Sequence, residues 1–175
     1  MPLNQIKKYP ELLELSHYSE QQRRESLLGI FNRDIGNDSL FNFRKKQIRP
    51  TKEEGEVPMQ TLYHHLTTRN DYDENGKKLN ARTFEMARSQ RLHWVKVRIN
   101  ELQNEGVDVF SYEDRVKGKD VVRTYIYDTK EKYVIILEPQ KSKRDYFLLT
   151  AYYLNEPGGE KQIKKKRKKK LSEVY

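Results

Sequence analysis

The feature that most constrains this chain is a change of period at Gly106. After it come four short runs, VDVFSY, VVRTYIYD, KYVIILEP and YFLLTAYYL, each rich in β-branched or aromatic residues and parted by polar turns. Such side chains fit a pleated surface, so the runs favour extended backbone. The spacing predicts four antiparallel strands in a meander. YVIIL is apolar on both faces, which places its strand at the centre of the sheet with cover on each side. Before Gly106 the period is helical. Phe84, Leu92, Val95, Ile99 and Leu102 form an apolar stripe from Ala81 to about Glu105, and Gly106 is placed to stop it. This main helix is expected to cover the meander.

Upstream, Leu12, Leu13, Leu15, Leu27, Leu28, Ile30 and Phe31 recur at helical spacings between Pro10 and about Ile35. They predict two short helices broken near Ser16 to Ser19, with Ser19 as an N-cap. Asp34 to Asn37 reads as a turn. Leu40, Phe41 and Phe43 lead into RKKQIRP, whose Pro50 argues for an edge strand or an ordered connection. MQTLYHHLTT reads as one or two helical turns, and RNDYDENGKKLN as a mobile loop around Asn75-Gly76. Asn155 to Gly159 ends the sheet, before a frayed Lys-rich helix or a disordered tail. The expected fold is α+β, with N-terminal helices followed by a four-stranded antiparallel β-meander packed on the main helix, and a basic C-terminal tail. One domain would span residues 1–159, divided into a helical and loop extension (1–80) and the helix-plus-sheet core (81–159), with the tail at 160–175.

Charge narrows the choice of partners. The net charge is +9, from 35 Lys and Arg against 26 Asp and Glu, and such an excess favours polyanions. The tract from Lys161 to Lys170 supplies most of it, so a binding groove in the body must be local. With no cysteine there is no disulfide framework, Cys-rich zinc site or thiol nucleophile. The first residues lack the pattern of a secretory signal, and no stretch approaches the roughly 20 apolar residues of a membrane span. A cytoplasmic protein without membrane partners is expected.

The richest segment is RSQRLHWVKVR, where Arg88, Arg91, His93, Trp94, Lys96 and Arg98 crowd together. Guanidinium groups suit phosphate oxygens and an indole stacks on bases, so an RNA-contacting face is one reading and a solvated basic face the other. His93 draws attention as a base of ordinary pKa near 6.5 that takes a 2′-hydroxyl proton at neutral pH. On the strands, Arg123, Tyr125 and Tyr127 alternate along one face, as do Thr150 and Tyr152 along another. Whether Arg123 and Thr150 share a face depends on hairpin register, which sequence leaves open. Of the pair His64-His65, His65 is the candidate for a second acid or base. Asp71, Asp73 and Glu74 are a candidate cluster for magnesium, and Asp71, Asp73 and Asn75 before Gly76 resemble the start of a calcium loop, but Arg82 stands where the bidentate acid is needed, so neither a metal nor a cofactor is expected.

The succession RSQRLHWVKVRI, VFSYEDR, RTYIYD, KYVIILEP and DYFLLTAYYL resembles the phage- and toxin-associated branch of the barnase/EndoU/colicin/RelE (BECR) nuclease superfamily, over about residues 82 to 170. The resemblance implies helices followed by a four-stranded antiparallel sheet, and a metal-independent ribonuclease used as a toxin or effector, forming a 2′,3′-cyclic phosphate. It favours Arg91, His93 and Trp94, then Arg123, then Thr150 and Tyr152. The implied partners are RNA (tRNA, mRNA or rRNA) and an acidic immunity or antitoxin protein. The alternatives are a non-catalytic RNA- or ribonucleoprotein-binding module and a protein-interaction module.

Overall fold

Ser19 begins a helix for a local reason. Its hydroxyl accepts from the Gln22 amide at 3.2 Å, while the Gln22 side chain accepts from the Ser19 amide at 2.8 Å, a reciprocal capping box. The computed structural model describes residues 2–37, 41–101, 104–142 and 144–175; Leu40 and Leu102 lie outside the described residues. The capped helix is α2 (Glu20–Phe31), preceded by a short α1 (Pro2–Gln5) and prolonged by a π-helical turn over Asn32–Gly36. The helix expected over Pro10 to Leu15 does not form. That segment runs without helical structure, with Leu13 and Leu15 buried.

Among the described residues, six strands form one mixed sheet. They are β1 (Asn42–Phe43), β2 (Lys46–Pro50), β5 (Val107–Val116), β6 (Lys119–Asp128), β7 (Tyr133–Pro139) and β8 (Asp145–Tyr153), in the order β1-β2-β8-β7-β6-β5. The α+β class holds, and the last four strands do run as an antiparallel meander. That meander is not the whole sheet, because β2 adds to it parallel to β8, from Gln47 opposite Asp145 to Pro50 opposite Leu148. β2 is thus flanked on both sides rather than an edge. Its pairing with β1 stops at Gln47, which leaves Pro50 clear of that ladder. Residues 1–80 are accordingly no appended extension, since they supply strands to the sheet and Leu13, Leu27, Ile30, Ile48 and Leu62 to the same core as Ile126 and Ile135.

β7 lies at the centre. Tyr133, Ile135 and Leu137 enter the main core, while Val134 and Ile136 face the opposite side with Phe110, Tyr125, Tyr127 and Leu154. That second face is covered by α6 (Gly159–Lys168), which corrects the expectation of a frayed or disordered tail. α6 buries Ile163 there.

The long main helix is also corrected. Residues 78–84 form β4 (Lys78–Phe84), paired with β3 (Thr68–Tyr72), after α3 (Pro58–Thr67). The cause is turn chemistry. Asp73 accepts from the Asn75 and Lys77 amides at 2.9 and 2.8 Å, and Gly76 adopts φ +76°, which together close a hairpin where a mobile loop was expected. Helix resumes only as α4 (Met86–Ser89) and α5 (Trp94–Ile99). Between them the Gln90 carbonyl, which would accept from Trp94 in a continuous helix, accepts instead from the Leu13 amide at 3.0 Å.

Candidate functional site

The register left open by sequence comes out in favour of convergence. Tyr125 lies opposite Ile136, and Ile136 opposite Thr150, so Arg123, Tyr125, Ile136 and Thr150 share a face of the sheet. A bulge in β8 adds to this. Ile136 pairs with Thr150 but Leu137 pairs with Leu148, so Leu149 is the extra residue and both Leu149 and Thr150 look the same way. They form the floor of a cleft of about 810 Å³ together with Arg123, Ile136 and Tyr152. α3 supplies His64 and His65 as one wall, α4 supplies Arg88, and the β3–β4 hairpin supplies Asn70, Tyr72, Lys78 and Arg82. Glu53 and Glu56 stand at the rim.

His65 is tied into this cleft at both ends. Its carbonyl accepts from the Thr150 hydroxyl at 3.3 Å and from Arg88 Nη1 at 2.8 Å, and its ring Nε2 is 4.0 Å from Glu53 Oε1. Burial, then the neighbouring Arg82, lowers the imidazole pKa below its ordinary 6.5, while Glu53 pulls the other way. The ring is therefore neutral at physiological pH and able to accept a proton. Arg88 is mostly buried beside Glu85 at 3.2 Å, with its guanidinium 5.5 Å from the Tyr152 ring centroid. Arg82 bonds Thr68 and Asn70 and is half-buried, its pKa lowered by burial and then by Arg88. Arg123 sits 3.6 Å from Glu138 and 4.0 Å from Asp114. Burial raises the Tyr152 hydroxyl, which stays protonated at neutral pH.

Seven of the residues singled out from sequence lie elsewhere. His93 is 3% exposed, and neither ring nitrogen has a hydrogen-bond partner of good geometry. Burial brings its pKa down to about 4. It lines a separate, smaller cavity with Lys96, Tyr9, Arg33 and Asp34, away from Arg123 and Thr150. Trp94 is a core residue, 1% exposed, its indole donating to the Glu11 carbonyl at 3.1 Å between the rings of Tyr9 and Tyr133. No face remains for a base. Arg91 lies over the Tyr153 ring at 3.9 Å, on the core side of the sheet. Arg98 is buried against Asp128 at 2.5 Å. Tyr125 and Tyr127 lie under α6, their hydroxyls on Asp114 and Glu160.

Tyr72, Arg82 and Glu53 join the site without having been singled out. The available signal was the Asn75-Gly76 turn, which, read as a hairpin, folds Arg82 back onto Thr68 and Asn70. Tyr72 stays 59% exposed, so its ring is open to a ligand. Among the described residues no His, Asp and Glu group forms a metal-binding cluster, and no helix is long and apolar enough to cross a membrane. No family model, curated protein or solved structure matches the chain.

Proposed function

We propose that the cleft cuts RNA without a metal ion. The observation that carries this reading is the meeting of a neutral histidine, His65, with Arg88, Arg123, Thr150 and a protonated Tyr152 on one polar surface. His65 takes the proton of a ribose 2′-hydroxyl as that oxygen attacks the adjacent phosphorus. The bond from phosphorus to the 5′-oxygen breaks, and Tyr152 gives its proton to the leaving oxygen. The products are a 2′,3′-cyclic phosphate and a 5′-hydroxyl, so only RNA, with its internal nucleophile, is a substrate. Arg123 and Arg88 stabilise the charge that builds on the phosphorane, the Thr150 hydroxyl turns from the His65 carbonyl to donate to a phosphate oxygen, and Glu53 stabilises the imidazolium. Tyr72 stacks on a base beside the scissile bond. The resemblance of residues 82 to 170 to BECR nucleases agrees with a metal-independent ribonuclease, although the histidine it favoured, His93, stands outside the cleft.

Incubation of the purified protein with tRNA, ribosomal RNA and mRNA in excess chelator tests the proposal. Cleavage with cyclic-phosphate ends is expected from the wild type and from His93→Phe, and a loss of at least about 100-fold from His65→Ala. Activity that survives His65→Ala and Arg123→Ala together, or no cleavage of any RNA, sinks the reading. RNA retained intact would leave the cleft as a binding surface.

A further inference from the structure

α6 has two faces of opposite character. Ile163, Lys166 and Arg167 point toward the sheet: Ile163 is 3% exposed, Lys166 reaches Asp114 at 2.6 Å and the Tyr125 hydroxyl at 2.9 Å, and Arg167 reaches Asp108 at 2.9 Å. On the opposite side Lys161, Lys164, Lys165 and Lys168 follow the i, i+3, i+4, i+7 spacing of one helical stripe, about 10 Å long. All four are exposed. Lys164 pairs with Glu160 at 2.7 Å, while among the described residues no carboxylate lies within ion-pair distance of Lys161, Lys165 or Lys168. The inward contacts therefore hold the stripe in a fixed place. That place is beside the cleft, because α6 and the cleft floor occupy the same face of the sheet and Asp114 touches both Lys166 and Arg123.

We infer that this stripe is a second, phosphate-tracking surface, which holds a polymeric RNA while one of its nucleotides enters the cleft. The inference rests on the ribonuclease reading and adds a substrate class to it: RNA long enough to reach both surfaces. The chemistry of the stripe favours RNA over other anionic partners. The apolar residue of α6, Ile163, is buried, so the helix has no free apolar face to insert into a lipid surface. The stripe also carries no aromatic or apolar side chain of the kind that anchors a protein interface. Fixed lysines at helical spacing act through phosphate charge alone, with salt dependence and without sequence preference.

The test compares a trinucleotide with a long single-stranded RNA containing the same scissile step, using wild type and the triple variant Lys161→Glu/Lys165→Glu/Lys168→Glu. The ratio of kcat/KM on the long RNA to that on the trinucleotide is expected to fall about 30-fold or more in the variant. The slope of log affinity against log salt for the long RNA is expected to fall by about two, near 0.7 for each lysine on a single strand. Should the charge-reversed protein unfold, the Lys→Gln triple variant carries the same test. An equal change on both substrates, or an unchanged salt slope, overturns the inference. The affinity measurement is made with His65→Ala and intact RNA, so it decides on the stripe whether or not the wild type cuts.

Discussion

His93 and His65 both have lowered pKa values, and each lowering has its own consequence. The unfolded chain takes up a proton at His93 near pH 6.5, whereas the folded protein does so only near 4. Between these limits the unfolded state binds more protons, so stability is fully present above 6.5 and declines as pH falls toward 4. The loss reaches about 3 kcal/mol. His93→Phe, which fills the same space, is expected to remove that part of the slope, as read from urea midpoints at neutral and acidic pH. For His65 the lowered pKa places the acid limb of kcat/KM below 6.5, because the neutral ring is the active form. An acid limb centred above 6.5 would argue against His65 as the base. A third residue-scale prediction concerns Asp128, which is 1% exposed and accepts from Tyr9 at 2.9 Å and the Glu131 amide at 2.9 Å while it pairs with Arg98. Asp128→Asn takes the carboxylate from a buried ion pair with Arg98, and is expected to lower unfolding free energy by about 3–5 kcal/mol.

At the level of elements, the meander was legible because strand period and turn chemistry are local. YVIIL could be placed at the centre from its own residues, and the capping box of α2 from four consecutive ones. The parallel pairing of β2 with β8 joins segments about a hundred residues apart, and no local pattern reports it. The stripe from Phe84 to Ile99 misled for a related reason: its residues pack on the core, but from a strand, a turn and one short helix, because Thr68 to Tyr72 and Leu13 compete for its backbone. The site divides along the same line. Arg123, Thr150, Tyr152, His65 and Arg88 were named from residue type, whereas Tyr72 and Arg82 acquire meaning only once the hairpin closes. Gly76 is the test of that hairpin. An added Cβ would meet nothing within 4 Å, so Gly76→Ala carries only the cost of its φ of +76°. A loss of about 1–2 kcal/mol is expected, with Gly76→Asn costing less because asparagine tolerates that conformation. Equal losses would mean that the turn does not hold this φ.

Across the whole molecule, α6 joins the sheet's apolar face to the cleft, which makes its removal different in kind from a change in its charge. Deleting residues 159–175 uncovers Phe110, Tyr125, Tyr127 and Val134 and leaves Asp114, 8% exposed, without Lys166. Several kcal/mol of stability go with them, and a drop in Tm of roughly 10 °C is expected. RNA affinity lost on such a truncation therefore says nothing about the lysines, whereas charge reversal of the outward stripe leaves the inward contacts in place. Lys166→Met separates the remaining link. The substitution keeps an unbranched side chain but takes the ammonium from the rings of Tyr112 and Tyr125 and from Asp114, whose other cationic neighbour among the described residues is Arg123 at 4.0 Å. The carboxylate then draws Arg123 away from the cleft, so kcat on a trinucleotide falls although Lys166 touches no substrate. Lys166→Met/Asp114→Asn, with the excess carboxylate gone as well, should restore kcat. A Lys166→Met variant that is less stable but cuts at the wild-type rate would show that α6 and Arg123 are not coupled through Asp114.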